Sequence, residues 1–151
     1  MKKTILGLCA LMCCAGLFTA CGDGDDNPAP VLTVDNITGT YTGSLEVLGS
    51  TIPGTSISLS KLDAQTVNMQ LKDFAMGELA IGDISAACNV TPDGDDFNLY
   101  GTTDLVLEAL GGATVLVTID GEADGKTLDV DLNISNVPGL GNFKVEFEGT
   151  K

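Results

Sequence analysis

The chain has 151 residues, with 7 Lys and no Arg against 21 Asp and Glu, and it contains no His and no Trp. A net charge of −14 without any Arg argues against nucleic acid and anionic membrane surfaces as partners, because phosphate contacts depend on Lys and Arg. The absence of His removes the commonest general base and most zinc sites. No motif indicates a cofactor or a metal.

Residues 1–20 have the composition of a secretory signal. Lys2 and Lys3 precede an apolar stretch from Ile5 to Leu17, and small residues follow. The stretch is shorter than the roughly 20 residues that span a bilayer, and no stop-transfer pattern follows it. We therefore expect residues 1–20 to be removed, the alternative being a retained transmembrane helix.

The sequence Leu17-Phe18-Thr19-Ala20-Cys21 resembles the lipobox of bacterial lipoproteins. The resemblance implies that Cys21 is lipidated and becomes the acylated N-terminus after cleavage. Two or three acyl chains hold a protein firmly in a membrane. The alternative is an ordinary signal peptide whose cleavage site adjoins a cysteine.

Residues 21–35 are predicted to be a flexible spacer, since the run Gly22-Asp23-Gly24-Asp25-Asp26-Asn27-Pro28 has no apolar side chain to order it. An acidic run behind the lipidated cysteine resembles the surface-export signal of lipoproteins from Bacteroidetes-type bacteria. That resemblance implies an outer-membrane anchor and exposure at the cell surface. A calcium loop is disfavoured because the required Gly and distal Glu are missing.

Removal of residues 1–20 leaves 131 residues with 5 Lys, 21 acidic residues and a net charge of −16. Cys9, Cys13 and Cys14 leave with the signal, so Cys21 and Cys88 remain and no disulfide framework is expected. Cys88 alternates with other apolar residues and has no His to activate it. We expect Cys88 to be a small buried core residue.

From Thr40 onward the apolar residues alternate with period two, which predicts an all-β domain over residues 36–151. A change of apolar parity near Gly82 and Asp83 predicts a β-bulge. Val115-Leu116-Val117 is apolar on both faces, which predicts a central or covered strand. The nine predicted strands lie at 41–47, 56–60, 67–72, 78–91, 97–100, 105–109, 115–119, 128–134 and 143–147, with turns at Gly49, 62–64, 92–95, 111–112, 124–125 and 138–141.

Short strands joined by tight turns must bury their apolar faces together and protect their edges. This favours a single antiparallel meander β-barrel of eight to nine strands, with a two-sheet sandwich as the alternative. The polar outer face disfavours a membrane-spanning barrel.

Three short motifs stand out along the predicted barrel: Gly39-Thr40-Tyr41-Thr42-Gly43, Leu71-Lys72-Asp73-Phe74 followed by Gly77, and Phe147-Glu148-Gly149. Together they resemble the calycin-like, or lipocalin-like, β-barrel domain of Bacteroidetes lipoproteins. The resemblance implies an antiparallel barrel. Similar lipocalins open with Gly-x-Trp, with the Trp closing the barrel base, often beneath an Arg. Here Tyr41 takes the aromatic position and Arg is absent.

The barrel interpretation favours a binding module for a small apolar ligand. The candidate cavity residues are Tyr41, Leu45, Met69, Leu107, Val117 and Phe143. The alternative is a non-catalytic structural or protein-interaction module of the cell envelope whose core is solid. Enzymatic activity is not expected, because acidic pairs such as Asp95/Asp96, Glu122/Asp124 and Asp129/Asp131 fall in turns or on the polar face of a strand.

Overall fold

The computed structural model describes residues 31–151. The predicted signal, the lipidation site Cys21 and most of the predicted spacer lie outside the described residues. One short helix, α1 (Val34–Ile37), precedes the sheet, and a 3₁₀ turn (Glu108–Leu110) lies between the fifth and sixth strands. The eight strands are β1 (Gly39–Val47), β2 (Ser50–Lys61), β3 (Thr66–Met76), β4 (Leu79–Asp93), β5 (Asp96–Leu107), β6 (Ala113–Ala123), β7 (Thr127–Val137) and β8 (Gly141–Thr150).

The eight strands form one closed antiparallel barrel in which each strand pairs with the next along the chain. β1 completes the barrel by pairing with β8 from Thr42 opposite Thr150 to Val47 opposite Val145. Closure removes the two free edges that an open sheet would expose. The predicted meander barrel is confirmed, and the sandwich alternative is wrong.

The two strands predicted at 97–100 and 105–109, on either side of Gly101, are a single strand, and for this reason there are eight strands rather than nine. β5 runs through Gly101 without interruption. Gly101 lies against β4, where an added Cβ would approach Ala87 O to 2.7 Å and Cys88 Sγ to 2.8 Å. The glycine therefore permits a close approach of two strands, so a glycine inside a strand need not mark a turn.

The hairpin of β3 and β4 contains the predicted bulge. Leu71 pairs with Ile84, Phe74 with Gly82 and Ala75 with Ala80. Between the first two pairs β3 has one residue more than β4, and between the last two pairs β4 has one residue more than β3. Asp73 has a φ of 51°, and its N–H donates a 2.8 Å hydrogen bond to Asp83 Oδ1. The extra residues keep both apolar sets on the inner face despite the change of parity.

Inward-facing residues of all eight strands form a single apolar core, to which Val34 and Ile37 of α1 are added. No polar or charged residue is buried within residues 31–151. Leu116 points outward from β6 and is 44% exposed. β6 pairs with β5 on one side and β7 on the other, so it is a central strand, as its apolar run predicts. Its outer face is not covered by another element, because Leu116 remains exposed.

The barrel has two different ends. At the helix end, α1 and the C-terminal Lys151 meet the turns that follow β2, β4 and β6. At the far end lie the turns that follow β1, β3, β5 and β7. Within residues 31–151 no helix is both long and apolar enough to cross a membrane.

Candidate functional site

The six candidate cavity residues all face the barrel interior. Each is at most 8% exposed, the largest value being that of Phe143. They belong to the same apolar cluster, but their neighbours include many of the largest fully buried side chains, such as Phe97, Phe147 and Ile119. An eight-stranded barrel is only just wide enough to be filled by side chains or to hold one small ligand. The centre of this barrel is occupied mainly by its own side chains.

Tyr41 closes the barrel at the helix end. Its hydroxyl donates a 2.8 Å hydrogen bond to the carbonyl of Ile37 in α1. Burial, together with the Asp124 carboxylate, raises the pKa of Tyr41 to about 12. The phenol is therefore a neutral structural donor that fastens α1 across the base.

The absence of Arg does not leave this aromatic ring without a cation. Lys151 Nζ lies 5.1 Å from the centroid of the Tyr41 ring, within the range of a cation–π interaction. The same ammonium donates a 3.0 Å hydrogen bond to Asn36 O. Lys151 thus places a cation over the Tyr41 ring and joins β8 to α1.

The barrel wall opens between β2 and β3 towards the far end. These strands pair only from Ile57 opposite Leu71 to Lys61 opposite Val67. Residues 50–56 of β2 pair with β1 alone, and residues 72–76 of β3 do not pair with β2. The opening contains a cleft of about 440 Å³, which we call the seam cleft; it is lined by Leu45, residues 52–56 and residues 71–75.

The seam cleft combines an apolar floor with a polar rim. Leu45, Leu71 and Phe74 are buried core residues that reach its surface. Thr55 is half-buried opposite Gly43, on the inward-facing register of β1. Apolar walls with a few placed polar groups are typical of small-molecule sites, and 440 Å³ lies within their usual size.

The strand edges at the seam cleft are poorly suited to pairing with another strand. Pro53 has no backbone N–H to donate. Gly54 has a φ of 74° and Asp73 a φ of 51°, both in the left-handed region. Proline and bulges on an edge discourage the addition of a further strand. The opening therefore suits a small molecule better than an extended polypeptide.

A second interruption of the wall, between β4 and β5, is covered. Pairing there extends only from Asp93 opposite Asp96 to Cys88 opposite Gly101. The 3₁₀ turn packs against β4, and Leu110 packs against the core.

A smaller cleft of about 240 Å³ lies beside α1 at the helix end. Val34, Val90 and Phe97 form its apolar side. Lys61 and Asp35 form an ion pair at its rim, with Nζ 2.5 Å from Oδ2. The ion pair joins α1 to β2, so this cleft lies where the helix packs against the barrel.

The outer face of β6, β7 and β8 is strongly acidic. Asp129 lies opposite both Glu122 and Glu148. Burial raises the pKa of Asp129, with further contributions from Glu148, Asp124 and Asp131. Lys144 contacts Asp131 at 2.8 Å and Glu146 at 2.5 Å. Of these carboxylates, Asp129, Asp131, Glu146 and Glu148 are the ones that the sequence places on the polar face of strands, whereas Glu122, which the sequence predicts in a turn, lies within β6.

The other acidic residues considered in the sequence have roles in turns. Asp124 Oδ1 accepts hydrogen bonds from the backbone N–H groups of Lys126 and Thr127, and these bonds hold its pKa below the usual range. Asp95 lies in the two-residue turn between β4 and β5, next to Gly94 with a φ of 67°. Turn formation accounts for both residues.

Cys88 is a fully buried free thiol, as predicted from its apolar alternation. Burial raises the pKa of the thiol to about 11. A thiol in this state is a poor nucleophile near neutral pH.

Of the six candidate residues, only Leu45 lines the seam cleft. Sequence reasoning did not identify Ile52, Thr55 or Phe74 as cleft residues. Two signals bear on them: Pro53-Gly54 inside a strand, and the break in alternation between Leu71 and Phe74. Either signal indicates a local interruption of pairing, although neither shows that the two interruptions face each other.

The fold is similar to that of a Bacteroides fragilis protein provisionally described as an outer membrane protein, with a TM-score of 0.60 and 18% identity over 78% of this chain. This chain corresponds to 52% of that protein, about half of its length. A redesigned β-barrel matches 78% of this chain and 92% of its own, at 15% identity and a TM-score of 0.45.

No curated protein matches the sequence. A family model of the calycin-like β-barrel domain matches residues 37–150. These residues contain all three motifs that carry the resemblance in the sequence. The chain belongs to the calycin-like β-barrel domain family.

Proposed function

We propose that the protein is a lipoprotein of the outer membrane, exposed at the cell surface, whose barrel binds a small apolar ligand in the seam cleft. The observation that carries the binding proposal is the unpaired segment of wall between β2 and β3, where buried apolar residues reach the surface. Lipidation at Cys21 is supported by the lipobox-like sequence. The outer-membrane description of the Bacteroides fragilis protein of similar fold is consistent with this location.

The position of the N-terminal segment at one end of the barrel fits such an anchor. Val31 adjoins α1 at the helix end. The nine residues between Cys21 and Val31 span at most about 30 Å when fully extended. The helix end would then lie within about 30 Å of the anchor, and the seam cleft would lie towards the opposite end of the barrel.

The binding test uses residues 21–151 with Cys21→Ser, which gives an unlipidated protein. We expect the neutral fluorescent probe N-phenyl-1-naphthylamine to bind with increased emission. Thr55→Trp should fill the seam cleft and abolish the increase. Thr118→Trp, an outward-facing change on the fully paired part of β6, should leave it unchanged. Equal probe emission for the two variants, both folded by circular dichroism, would refute binding in the seam cleft.

The second candidate is a non-catalytic interaction or structural module with a solid core. The observation that favours it is the filled interior, in which the six candidate residues are packed among larger side chains. Crosslinking in intact cells followed by mass spectrometry tests this function. Recovery of a specific envelope protein supports it, and recovery of the monomer alone counts against it.

A further inference from the structure

We infer that the seam cleft selects amphiphiles whose polar end is neutral or cationic over those that end in a carboxylate or phosphate. This inference rests on the proposed function and adds the chemical class of the ligand. It follows from the arrangement of charges at the rim of the seam cleft, from the orientation that the apolar floor imposes, and from the charge of the domain around it.

The floor determines which end of an amphiphile enters. Leu45, Leu71 and Phe74 are at most 3% exposed as whole residues, yet they reach the surface of the cleft. Burial of an alkyl chain against them is favourable by about 0.8 kcal/mol for each methylene group. The apolar end therefore contacts the floor, and the polar end remains at the rim.

The lining of the cleft carries one positive and one negative side chain, and the carboxylate of Asp83 lies next to them. Lys72 and Asp73 both line the cleft. The backbone N–H of Asp73 donates a 2.8 Å hydrogen bond to the carboxylate of Asp83, so the Asp83 carboxylate lies beside Asp73. A carboxylate placed at the rim would thus meet one ammonium and two carboxylates, whereas an ammonium group would meet the reverse balance.

The position of Asp73 is set by the backbone. Its φ of 51° places a non-glycine residue in the left-handed region, which is uncommon and usually costs free energy. The Asp83 carboxylate holds this conformation through the Asp73 N–H, and the bulge places Lys72 and Asp73 together between the inward-facing Leu71 and Phe74. The acidic rim is therefore fixed by the same bulge that interrupts pairing with β2.

The rest of the domain adds to this preference. Residues 31–151 contain 18 acidic residues and 5 Lys. Among the described residues, Lys61 and Lys144 are held in ion pairs with carboxylates, and Lys151 lies over Tyr41 at the helix end. Lys126 lies in the turn between β6 and β7, at the helix end. Lys72 is the one cation that lines the cleft, and the field around it is negative.

The test compares three probes with the same twelve-carbon chain: dodecylamine, dodecanol and dodecanoic acid. Each displaces N-phenyl-1-naphthylamine from residues 21–151 with Cys21→Ser at pH 7 and low salt. Every probe is kept below its solubility limit, and the two charged probes are also kept below their critical micelle concentrations. We expect dodecylamine to bind on the order of tenfold more tightly than dodecanoate, since reversing the ligand charge reverses each of several exposed charge pairs. Dodecanol should be intermediate, and 0.5 M NaCl should reduce the differences.

Two variants assign the preference to the rim. Asp73→Asn retains a residue type that tolerates the left-handed conformation and should reduce the ratio of the amine and acid affinities severalfold. Lys72→Gln should increase that ratio. Asp104→Asn, on the outer face of β5, is the matched control and should leave the ratio unchanged.

The outcomes separate this inference from the proposed function. Dodecanoate affinity equal to or above that of dodecylamine overturns the inference and leaves the binding function standing. An unchanged ratio in Asp73→Asn also overturns it. Failure of the fluorescent probe and of all three amphiphiles to bind refutes the proposed function and the inference together.

Discussion

Replacement of Tyr41 by Phe tests how the helix end is held closed. The change removes one hydroxyl and leaves the Ile37 carbonyl, in a residue that is 0% exposed, without its 2.8 Å donor. An unsatisfied buried acceptor costs about 1–3 kcal/mol. We therefore expect the free energy of unfolding at pH 8 to fall by about 1–2 kcal/mol, measured by urea denaturation of residues 21–151 with Cys21→Ser.

The alkaline pH dependence of stability separates this hydrogen bond from general packing. The pKa of Tyr41 is raised to about 12 in the folded protein, whereas a tyrosine in the unfolded chain titrates near 10. Above pH 10 the unfolded state loses the Tyr41 proton first, so stability decreases as the pH approaches 12. A difference of this size corresponds to about 2–3 kcal/mol. The Phe variant lacks this loss, so its deficit should shrink with rising pH and vanish or reverse near pH 12.

The other tyrosine provides the control. Tyr100 lies on the outer face of β5 and is 55% exposed, so Tyr100→Phe should change stability little at pH 8. Burial also raises the pKa of Cys88, but that group is common to all variants and cancels in their differences. Stability curves of Tyr41→Phe and wild type that remain parallel from pH 8 to pH 12 would refute this account.

Three further predictions concern the closure, the core and the outer face. Gly43→Ala should destabilise the barrel severely, because the added Cβ would lie 1.8 Å from Glu148 O. Gly77→Ala, with a φ of 60° but nothing within 4 Å of its added Cβ, should cost only about 1–2 kcal/mol. Urea denaturation followed by circular dichroism distinguishes the two variants, and similar midpoints would contradict the close approach. Cys88, the only thiol once Cys21 is Ser, should react with a thiol reagent only when the domain opens, because the group is buried; rapid labelling in native buffer would contradict this. Glu148→Gln should stabilise the domain at pH 7 by a few tenths of a kcal/mol, since Glu148 lies opposite Asp129. The gain should fade at high salt, and also as the pH falls through the raised pKa of Asp129. Glu78→Gln in the β3–β4 turn is the control, and an equal effect would argue against cross-strand repulsion.

The sequence predicts the elements of this barrel well where alternation is uninterrupted. β7 and β8 alternate strictly, and both strands are placed correctly within a few residues. The bulge near Gly82 is also predicted, because an extra residue necessarily reverses the apolar parity. These features are local, so a single strand contains the information that specifies them.

The errors occur where one residue type serves two purposes. Gly101 interrupts the apolar pattern as a turn glycine would, yet it lies inside β5 because a neighbouring strand leaves no room for a side chain. Only the three-dimensional neighbours of a glycine show whether it lies in a turn or at a close approach of two strands.

The candidate site depends on pairing between strands, which alternation alone does not specify. The six residues chosen for the cavity all point inward, as period two requires. The seam cleft instead arises because Pro53-Gly54 in β2 and Lys72-Asp73 in β3 interrupt the same ladder from opposite sides. Each irregularity is visible in the sequence, but their juxtaposition is a property of the register.

With the binding site in the barrel wall, the residues that determine ligand selectivity are different from those that determine stability. Residues of the filled interior, such as Met69 and Val117, are fully buried, and their truncation typically costs several kcal/mol. Lys72 and Asp73 at the rim are exposed, and exchange of exposed polar residues usually changes stability by less than about 0.5 kcal/mol. The rim can therefore be altered to accept a different polar group while the core that holds the barrel together is left intact. We therefore expect Lys72→Gln and Asp73→Asn, which keeps a residue type that tolerates the left-handed conformation, to alter ligand preference without altering the urea midpoint, whereas truncation of Met69 or Val117 should do the opposite.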